Sequence, residues 1–262
     1  DEKLIPIWKH ICNKYNPDII HLFGTEYPHG LACMIACPNI KYLVTMQGII
    51  GVIAKYYYGG ISIMELAKHT NIIELIMKKS LFHQRKNIVQ RCLYEKYIIN
   101  NANAITGRTT WDYAHINYIN TNVKYYQLNE ILRDQFYLSR KWDINKINKH
   151  SLFITSGSSP IKGLHKLIQA IYLLKNKYPD IKLNIGGVSI NNYSLYDKIK
   201  LGSYNRYILE LINKLELENN INFTGPLDEK HIIEYYLNSN VYVCPSIIEN
   251  SSNSIAEAQI LG

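Results

Sequence analysis

Cysteine is scarce in this sequence of 262 residues, which carries five scattered thiols. Cys12, Cys33, Cys37, Cys92 and Cys244 form no repeated short-spaced pairs of the kind that hold zinc. An odd number of thiols at irregular spacing suits a protein of the reducing cytosol.

Long apolar runs are also missing. The longest, such as Leu31 to Cys37, are far too short to cross a bilayer, and no signal-peptide pattern opens the sequence. A transmembrane protein is therefore not expected, whereas a peripheral membrane protein stays an alternative.

Acidic residues are outnumbered, since 29 Lys and Arg face 21 Asp and Glu and give a formal charge of +8. This excess favours anionic partners, which include nucleotides, nucleic acid and anionic membrane surfaces. Charge alone does not choose among them, and the abundance of Tyr, Ile, Asn and Lys is also what an AT-rich genome produces. The 47% hydrophobic content is ample for the cores of one large or two ordinary globular domains.

Strand and helix patterns alternate in the first half of the chain. The patterns predict helices at Ile5 to Tyr15 and Leu31 to Cys37, and strands at Ile19 to Phe23, Tyr42 to Met46, Ala104 to Thr106 and Val123 to Gln127. Such alternation is typical of a parallel sheet with helices on its faces.

Polar residues follow these predicted strands. Glu26 and His29 lie in the predicted loop Gly24 to Gly30, Gln47 follows the second strand and Arg108 the third. Because open α/β sheets place their sites at the carboxyl ends of strands, we expect these side chains on neighbouring loops. A capping or surface role is an equal alternative for His29, and Arg108 either faces the site or caps structure.

Residues 55 to 96 hold eight Lys or Arg and three Glu, interleaved with large apolar side chains. This composition suits amphipathic helices resting on an anionic membrane, and a solvated basic face packed on the domain is an equal alternative. Arg91 and Glu95 lie one turn apart on a predicted long helix, where we expect an ion pair.

The stretch from Trp142 to His150 is polar and weakly patterned, which predicts an interdomain link between a domain at 1–148 and a domain at 149–262. Strands and helices are expected to alternate again in the second domain. The strands are Ser151 to Thr155, Asp180 to Ile185, Ile221 to Gly225 and a short buried strand that starts at Val241 and stops at Pro245. The helices are Leu164 to Lys177, Ile208 to Leu217, Lys230 to Leu237 and a last one from Ser254. This order indicates a doubly wound half.

A loop of small residues, Ser156 to Gly163, precedes the helix that starts at Leu164. It contains Gly157, Lys162 and Gly163. The lysine and the N–H groups of the helix amino end together predict an anion site. The spacing of glycines and lysine differs from that of a Walker loop.

The end of the chain is predicted to form a strand, a polar loop and a helix that Asn253 or Ser254 caps. The first turn of such a helix has free N–H groups and a positive dipole end, so it binds phosphate. Glu249 in the loop and Glu257 in the helix would serve a ligand that carries hydroxyls beside its phosphates. A nucleotide sugar has that composition.

At these residues the chain resembles the large family of retaining GT-B glycosyltransferases of the family 4 type, also called glycosyl transferases group 1. This family includes glycogen synthases, sucrose synthases and many bacterial polysaccharide mannosyl- and glucosyltransferases. Its donor-site signature is two glutamates separated by seven residues, after a strand and a Pro-Ser turn and before Glu-Ala and a glycine. The matching residues here are Glu249, Glu257, Ala258 and Gly262.

The resemblance covers most of the chain and implies a GT-B fold of two Rossmann-like doubly wound domains that face a cleft. It implies that Glu249 and Lys162 are catalytic, with Glu249 at the transferred sugar. In this comparison Glu257 contacts the ribose of the donor, Lys162 and the backbone from Asn253 to Ile255 contact the diphosphate, and Leu227 begins the loop beside the base. The residues that the resemblance assigns to binding of the donor nucleotide are Gly157, Lys162, Gly163, Leu227, Glu249, Asn253, Ser254, Ile255 and Glu257. The acceptor would meet the other half, with Glu26, His29, Gln47 and Arg108 as candidates.

The sequence departs from the family at three places. Many members have a glycine-rich loop where this chain has Asn250, Ser251 and Ser252. Relatives usually have an arginine at the position of Ser156. The positive charge of that arginine would have to be replaced by Arg108, Arg133 or another cation. Members also begin with a glycine-rich strand and continue past the residue that matches Gly262. We therefore expect the sequence to be the central part of a longer enzyme, incomplete at both ends.

The resemblance implies a retaining glycosyltransferase that moves a sugar from a nucleoside diphosphate sugar to a saccharide or lipid-linked acceptor, in the synthesis of capsule, exopolysaccharide or lipopolysaccharide. We expect no metal and no other cofactor, because cations and helix ends supply the stabilisation of the leaving group. The expected location is the cytoplasm, and a peripheral position on the inner face of the cell membrane is an alternative. The alternative is a basic α/β module that binds nucleic acid or membrane without catalysis, but no recognition motif or aromatic stacking platform for nucleic acid is found.

Overall fold

The computed structural model describes residues 2–187 and 201–262. Contacts divide the chain into two compact units. The first unit comprises residues 1–55, 85–131 and 249–251, and the second comprises residues 56–84, 132–248 and 252–262. Each unit contains one four-stranded sheet in which all described pairings are parallel, which confirms the predicted α/β architecture.

The described elements follow the predicted alternation. The strands are β1 Ile19–Phe23, β2 Lys41–Thr45, β3 Ala104–Gly107, β4 Lys124–Gln127, β5 Asn148–Ile154, β6 Lys182–Gly186, β7 Ile221–Gly225 and β8 Ser239–Tyr242. The helices are α1 Ile5–Tyr15, α2 Pro28–Ala36, α3 Ile50–Tyr56, α4 Ile63–His69, α5 Ile72–Ile76, α6 Leu81–Asn101, α7 Thr110–Ile119, α8 Asp134–Leu138, α9 Leu164–Lys175, α10 Ser203–Lys214, α11 Glu229–Asn238 and α12 Asn253–Leu261.

The sheet of the first unit has the order β1-β2-β3-β4. Val44 and Ile105 are register partners at its centre, and both side chains are fully buried. Helix α2 begins at Pro28, earlier than predicted, because proline at the first helical position carries a φ suited to a helix and needs no hydrogen-bond partner for its nitrogen. His29 therefore lies on α2, and the prediction that placed it in a loop is wrong.

Glu95 is buried on α6 and makes no ion pair with Arg91 among the described contacts. Its carboxylate accepts hydrogen bonds from the backbone N–H groups of Ile50 at 2.7 Å and Gly51 at 3.0 Å, where α3 begins. Burial raises the pKa of Glu95 although these hydrogen bonds act to lower it. The Arg91 guanidinium instead lies 5.2 Å from the centroid of the Tyr27 ring. The predicted Arg91–Glu95 pair is wrong, because a buried helix amino end needs the acceptor more.

The sheet of the second unit has the order β7-β6-β5-β8. In chain order this is 3-2-1-4, so the direction in which strands are added reverses between β5 and β8. A ligand is expected outside the carboxyl ends of strands at such a switch point. Strand β8 starts at Ser239, before the predicted Val241, and ends at Tyr242, ahead of the predicted stop at Pro245. Val243 still donates to Phe153 O at 2.9 Å, but Pro245 has no N–H group with which to continue the ladder.

Residues 56–84 pack with the second unit. Ile61, Leu66 and Leu81 are buried in the same apolar cluster as Ile168 of α9 and Ile208 of α10. These inward side chains pack within the second unit, and the membrane-bound and solvated interpretations of the basic side chains stay predictions. None of the helices in residues 2–187 and 201–262 is both long and apolar enough to span a bilayer.

The chain before β5 also packs with the second unit. Trp142 donates through its backbone N–H to Leu261 O at 2.6 Å and through its ring nitrogen to Ser239 O at 2.8 Å. Strand β5 starts at Asn148, earlier than the predicted start at Ser151. The boundary between 148 and 149 as a limit of folding domains stays a prediction.

Candidate functional site

Two loops of the second unit meet beyond the carboxyl ends of β5 and β8. Ile247 of the β8 loop donates its backbone N–H to Ile161 O of the β5 loop at 2.8 Å. Gly163 has φ +71°, and a Cβ at this residue would lie 1.9 Å from Pro245 O. Only glycine permits this approach, which brings the loop that carries Lys162 against the loop that leads to α12.

The helices that follow these loops begin without side-chain caps. The N-cap residues are Gly163 for α9 and Ser252 for α12, and neither makes a side-chain capping hydrogen bond. The prediction that Asn253 or Ser254 caps α12 is wrong, because the Ser254 hydroxyl instead contacts Tyr242 Oη and Ser252 Oγ, each at 2.7 Å. Each uncapped amino end has free N–H groups that suit an anion, and Lys162 directly precedes the N-cap residue of α9.

Glu257 lies on α12 and is 9% exposed. Arg133 Nη2 lies 2.9 Å from one of its carboxylate oxygens, and the Tyr236 hydroxyl lies 3.1 Å from the other. Burial raises the pKa of Tyr236, so its hydroxyl remains a donor. A carboxylate offers about four lone-pair sites, so Glu257 retains capacity for further hydroxyl donors.

Arg133 is half exposed, and its other contacts are structural. Its guanidinium lies 3.7 Å from a carboxylate oxygen of Glu229 and 4.8 Å from the centroid of the Phe136 ring. The prediction that Arg108, Arg133 or another cation replaces the charge missing at Ser156 stays a prediction. Ser156 Oγ lies 3.4 Å from Ser158 Oγ.

The remaining predicted donor residues lie around these loops. A Cβ on Gly157 would lie 2.6 Å from the Leu164 side chain, so the loop packs closely on the start of α9. Leu227 packs against the buried cluster that contains Phe153. Ile255 lines a cavity of about 410 Å³ beside β8, together with Trp142. Their roles toward a nucleotide stay predictions.

Residues 249–251 are packed with the first unit, although the residues on either side of them belong to the second. Glu249 is exposed. Asn250 Nδ2 donates to Asp112 Oδ2 at 3.1 Å, and Asn250 Oδ1 accepts from Thr109 Oγ1 at 2.7 Å. This group was not predicted, and the signal that could have found it is Thr109-x-x-Asp112, which forms a capping box at the start of α7.

Asp112 is fully buried. Burial acts to raise its pKa, but hydrogen bonds from the hydroxyl of Tyr125, the backbone of Arg108, the amide of Asn250 and the backbone of Thr109 outweigh it and lower the pKa. The carboxylate is therefore ionised at neutral pH and acts only as an acceptor.

Three of the four predicted acceptor-side residues meet at the carboxyl edge of the first sheet. Arg108 donates to Gln47 Oε1 at 3.1 Å, and both residues bind Glu130, Arg108 at 3.2 Å and Gln47 at 3.0 Å. Glu26 accepts from the backbone N–H of Gly48 at 2.9 Å. His29 is not part of this group: it is exposed, and its ring centroid lies 6.0 Å from that of Tyr27.

Within residues 2–187 and 201–262, one group of His and carboxylate side chains is close enough to share a metal ion. It consists of Glu65, His69 and Glu210, in which His69 Nε2 lies 2.9 Å from Glu210 Oε2. The Lys68 ammonium already pairs with Glu210, so the chain supplies a cation there itself. The expectation that the protein uses no metal stays a prediction.

Residues 138–262 match the family model described as Glycosyl transferases group 1. The match includes both joined loops and the two glutamates at the expected spacing. No curated protein sequence matches the chain significantly.

The solved structures with a similar fold include the following three. Sucrose-phosphate synthase from Thermosynechococcus elongatus is 17% identical with a TM-score of 0.68, over 98% of this chain and 57% of that chain. A mutant of S. aureus TarM in complex with fondaparinux, alpha-GlcNAc-glycerol and UDP is 15% identical with a TM-score of 0.62, over 98% of this chain and 43% of that chain. The pneumococcal O-GlcNAc transferase GtfA in complex with UDP and GlcNAc is 13% identical with a TM-score of 0.59, over 96% of this chain and 42% of that chain.

These likenesses confirm the predicted GT-B fold class. The chain spans between 42% and 57% of the length of these three structures.

Proposed function

We propose that the protein is a retaining glycosyltransferase that takes a sugar from a nucleoside diphosphate sugar. The observation that carries this proposal is the junction of the two loops at the switch point of the second sheet. There the close approach of Gly163 to Pro245 supports a single site for Lys162 and the uncapped amino ends of α9 and α12. The group 1 match over residues 138–262 and the GT-B fold support the same activity.

In this proposal the diphosphate is held by Lys162 and by N–H groups from Asn253 to Ile255. When the bond between the sugar and the phosphate breaks, negative charge develops on the leaving diphosphate. Fixed N–H dipoles and an ammonium group stabilise that charge without having to reorganise. This is why we propose a reaction that needs no metal cofactor.

The two glutamates would serve different parts of the donor. Glu257 has acceptor capacity left beside Arg133 and Tyr236, which suits ribose hydroxyls that do not change during the reaction. Glu249 is exposed in the loop before α12, where a carboxylate would orient the sugar and ease the positive charge that develops at the anomeric carbon.

The acceptor would be a hydroxyl of a saccharide or of a lipid-linked saccharide. The group of Gln47, Arg108 and Glu130 offers both acceptors and donors for sugar hydroxyls, and Glu26 is bound to Gly48 beside it. We place the reaction in the synthesis of a cell-surface polysaccharide such as capsule, exopolysaccharide or lipopolysaccharide.

We further propose a cytoplasmic protein that docks on the inner face of the membrane through α5. Glu74 faces α10 within the second unit, where it binds the Arg206 guanidinium and the backbone N–H of Ser203 at 2.8 Å. Ile72 and Ile76 lie on the opposite side of the helix and are 71% and 75% exposed. The exposed isoleucines are followed, after Met77, by Lys78 and Lys79, and this combination suits an anionic lipid surface.

The function is tested by titrating UDP-, GDP- and ADP-glucose and the corresponding nucleoside diphosphates into the protein. We expect one nucleotide class to bind, and Lys162→Ala to weaken its binding by about 2–4 kcal/mol if the site excludes water. Lys175→Ala, at the far end of α9, is the matched control and should change nothing. Binding of single-stranded DNA with no response to any sugar nucleotide would instead favour the nucleic-acid module.

The division of labour is tested by comparing Glu257→Gln with Glu249→Gln. Glu257→Gln should mainly raise the donor KM, because the ribose contact is the same in the ground and transition states. Glu249→Gln should lower kcat by more than it weakens binding of the plain nucleoside diphosphate, which lacks the sugar. Equal losses of diphosphate binding with kcat unchanged in both variants would contradict these roles.

A further inference from the structure

The side chain of Asn250 is held at both of its polar ends within the first unit. Its Nδ2 donates to Asp112 Oδ2 at 3.1 Å, and its Oδ1 accepts from Thr109 Oγ1 at 2.7 Å. All three residues belong to the same compact unit. We name this arrangement of Asn250, Thr109 and Asp112 the Asn250 clasp.

Donor and acceptor chemistry permits one orientation of the Asn250 amide. Asp112 is ionised, and it accepts from the Tyr125 hydroxyl at 2.6 Å and from the Arg108 backbone N–H at 2.9 Å. The Thr109 hydroxyl accepts from the Asp112 N–H at 3.1 Å, so its own proton is available to Asn250. A flipped amide would set an oxygen against the carboxylate, which cannot donate.

The clasp holds the loop that carries Glu249 through the side chain of the next residue, Asn250. Residues 249–252 contain no glycine, and none of them has a positive φ. Ser251 O lies 3.4 Å from the Arg108 guanidinium, and Ser252 Oγ lies 2.7 Å from Ser254 Oγ. The start of α12 is anchored separately, since the Tyr242 hydroxyl donates to Ser254 Oγ at 2.7 Å and the Tyr236 hydroxyl lies 2.9 Å from Ser254 O.

We propose that Asn250 is a positioning residue for the sugar of the donor: the clasp fixes the backbone beside Glu249 and so keeps its carboxylate at the sugar. This inference rests on the proposed function of the site. Without the clasp the loop would take up several conformations, and the sugar contact would weaken. The diphosphate contacts would persist, because Lys162 and the start of α12 are held by other residues.

The test compares Asn250→Ala and Asn250→Asp with the control Asn145→Asp. Asn145 Nδ2 donates to Asp143 Oδ1 at 3.1 Å, so the control places a carboxylate beside an aspartate at an exposed site far from the loop in sequence. With the glucose nucleotide that binds the wild type, we expect Asn250→Asp to lower kcat/KM by about 10- to 100-fold while affinity for the sugar-free diphosphate falls by less than about threefold. The control should change neither quantity.

Hydrogen exchange at residues 249–252 gives a readout that does not depend on activity. Exchange should be faster in both Asn250 variants and unchanged in Asn145→Asp. Thr109→Ser keeps the hydroxyl, so its kcat/KM and its rate of hydrogen exchange should equal those of the wild type. Thr109→Val removes the hydroxyl and, like Asn250→Ala, should show faster exchange in the loop.

The possible outcomes separate the two proposals. Asn250 variants with wild-type kcat/KM, or with unchanged exchange in the loop, would overturn the positioning role while leaving the proposed function in place. A parallel loss of sugar-nucleotide and diphosphate affinity would overturn it as well, because the clasp would then support the whole site. A wild-type protein that binds none of the nucleotides would refute the proposed function, and with it any role of Asn250 toward a donor.

Discussion

Replacing Gly163 by alanine tests the close approach on which the candidate site depends. The residue has φ +71°, and an added Cβ would lie 1.9 Å from Pro245 O. A left-handed backbone conformation costs an alanine about 1–2 kcal/mol, of which about 0.4–1 kcal/mol is offset because alanine restricts the unfolded chain. The overlap with a backbone oxygen has to be relieved by moving one loop, and overpacking of this kind costs about 1–3 kcal/mol more.

Gly60→Ala is the matched control for this substitution. Gly60 has φ +81° but no atom within 4 Å of the position of an added Cβ, so it carries the backbone cost without the overlap. We therefore expect Gly163→Ala to lose about 1–3 kcal/mol more of the free energy of unfolding than Gly60→Ala does.

The assay is urea unfolding of the wild type and the two variants, with nucleotide titrations alongside. Gly163→Ala should also weaken binding of the nucleoside diphosphate, since the loop that carries Lys162 must shift, whereas Gly60→Ala should not. Equal losses of stability in the two variants would refute the reasoning, because the approach of Gly163 to Pro245 would then have no energetic consequence.

Two further predictions concern Asp112 and α5. The pKa of Asp112 in the folded protein is lowered from its ordinary 3.8, so the ionised carboxylate stabilises the fold above that value. This contribution is lost as the pH falls through the lower folded-state pKa. The difference in unfolding free energy between wild type and Asp112→Asn should therefore shrink in acid. A difference that stays constant down to about pH 3 would contradict that sign. The membrane proposal predicts that the protein binds vesicles containing anionic lipid, that added salt weakens this binding, and that a variant with both Ile72 and Ile76 replaced by serine loses it. Ile131→Ser removes an exposed isoleucine elsewhere and is the control, so an equal loss in that variant, or no binding by the wild type, would remove α5 from consideration.

Local sequence patterns were sufficient for much of the architecture. The predicted limits of α1, β1 and β7 agree with the structure, since each element has a clear periodicity and a turn or glycine at its end. The signature of Glu249 and Glu257 and the loop around Lys162 were also visible, because each lies within a short stretch of chain. The starts of α2 and β8 were missed, and at α2 the position of a proline decided the boundary.

The partners of the site residues were decided by the tertiary structure. The pairs Arg133–Glu257 and Asn250–Asp112 are separated by 124 and 138 residues, and no periodicity in either segment specifies the other. Glu95 likewise binds the amino end of α3, 45 residues away, and not its sequence neighbour Arg91. A buried N–H group requires an acceptor, whereas an exposed arginine can be hydrated by water. Sequence alone therefore determined the elements and the chemical types at the site. Only the folded chain determined which polar groups are brought together, because burial makes an unsatisfied hydrogen bond costly and so selects partners that the linear order does not reveal.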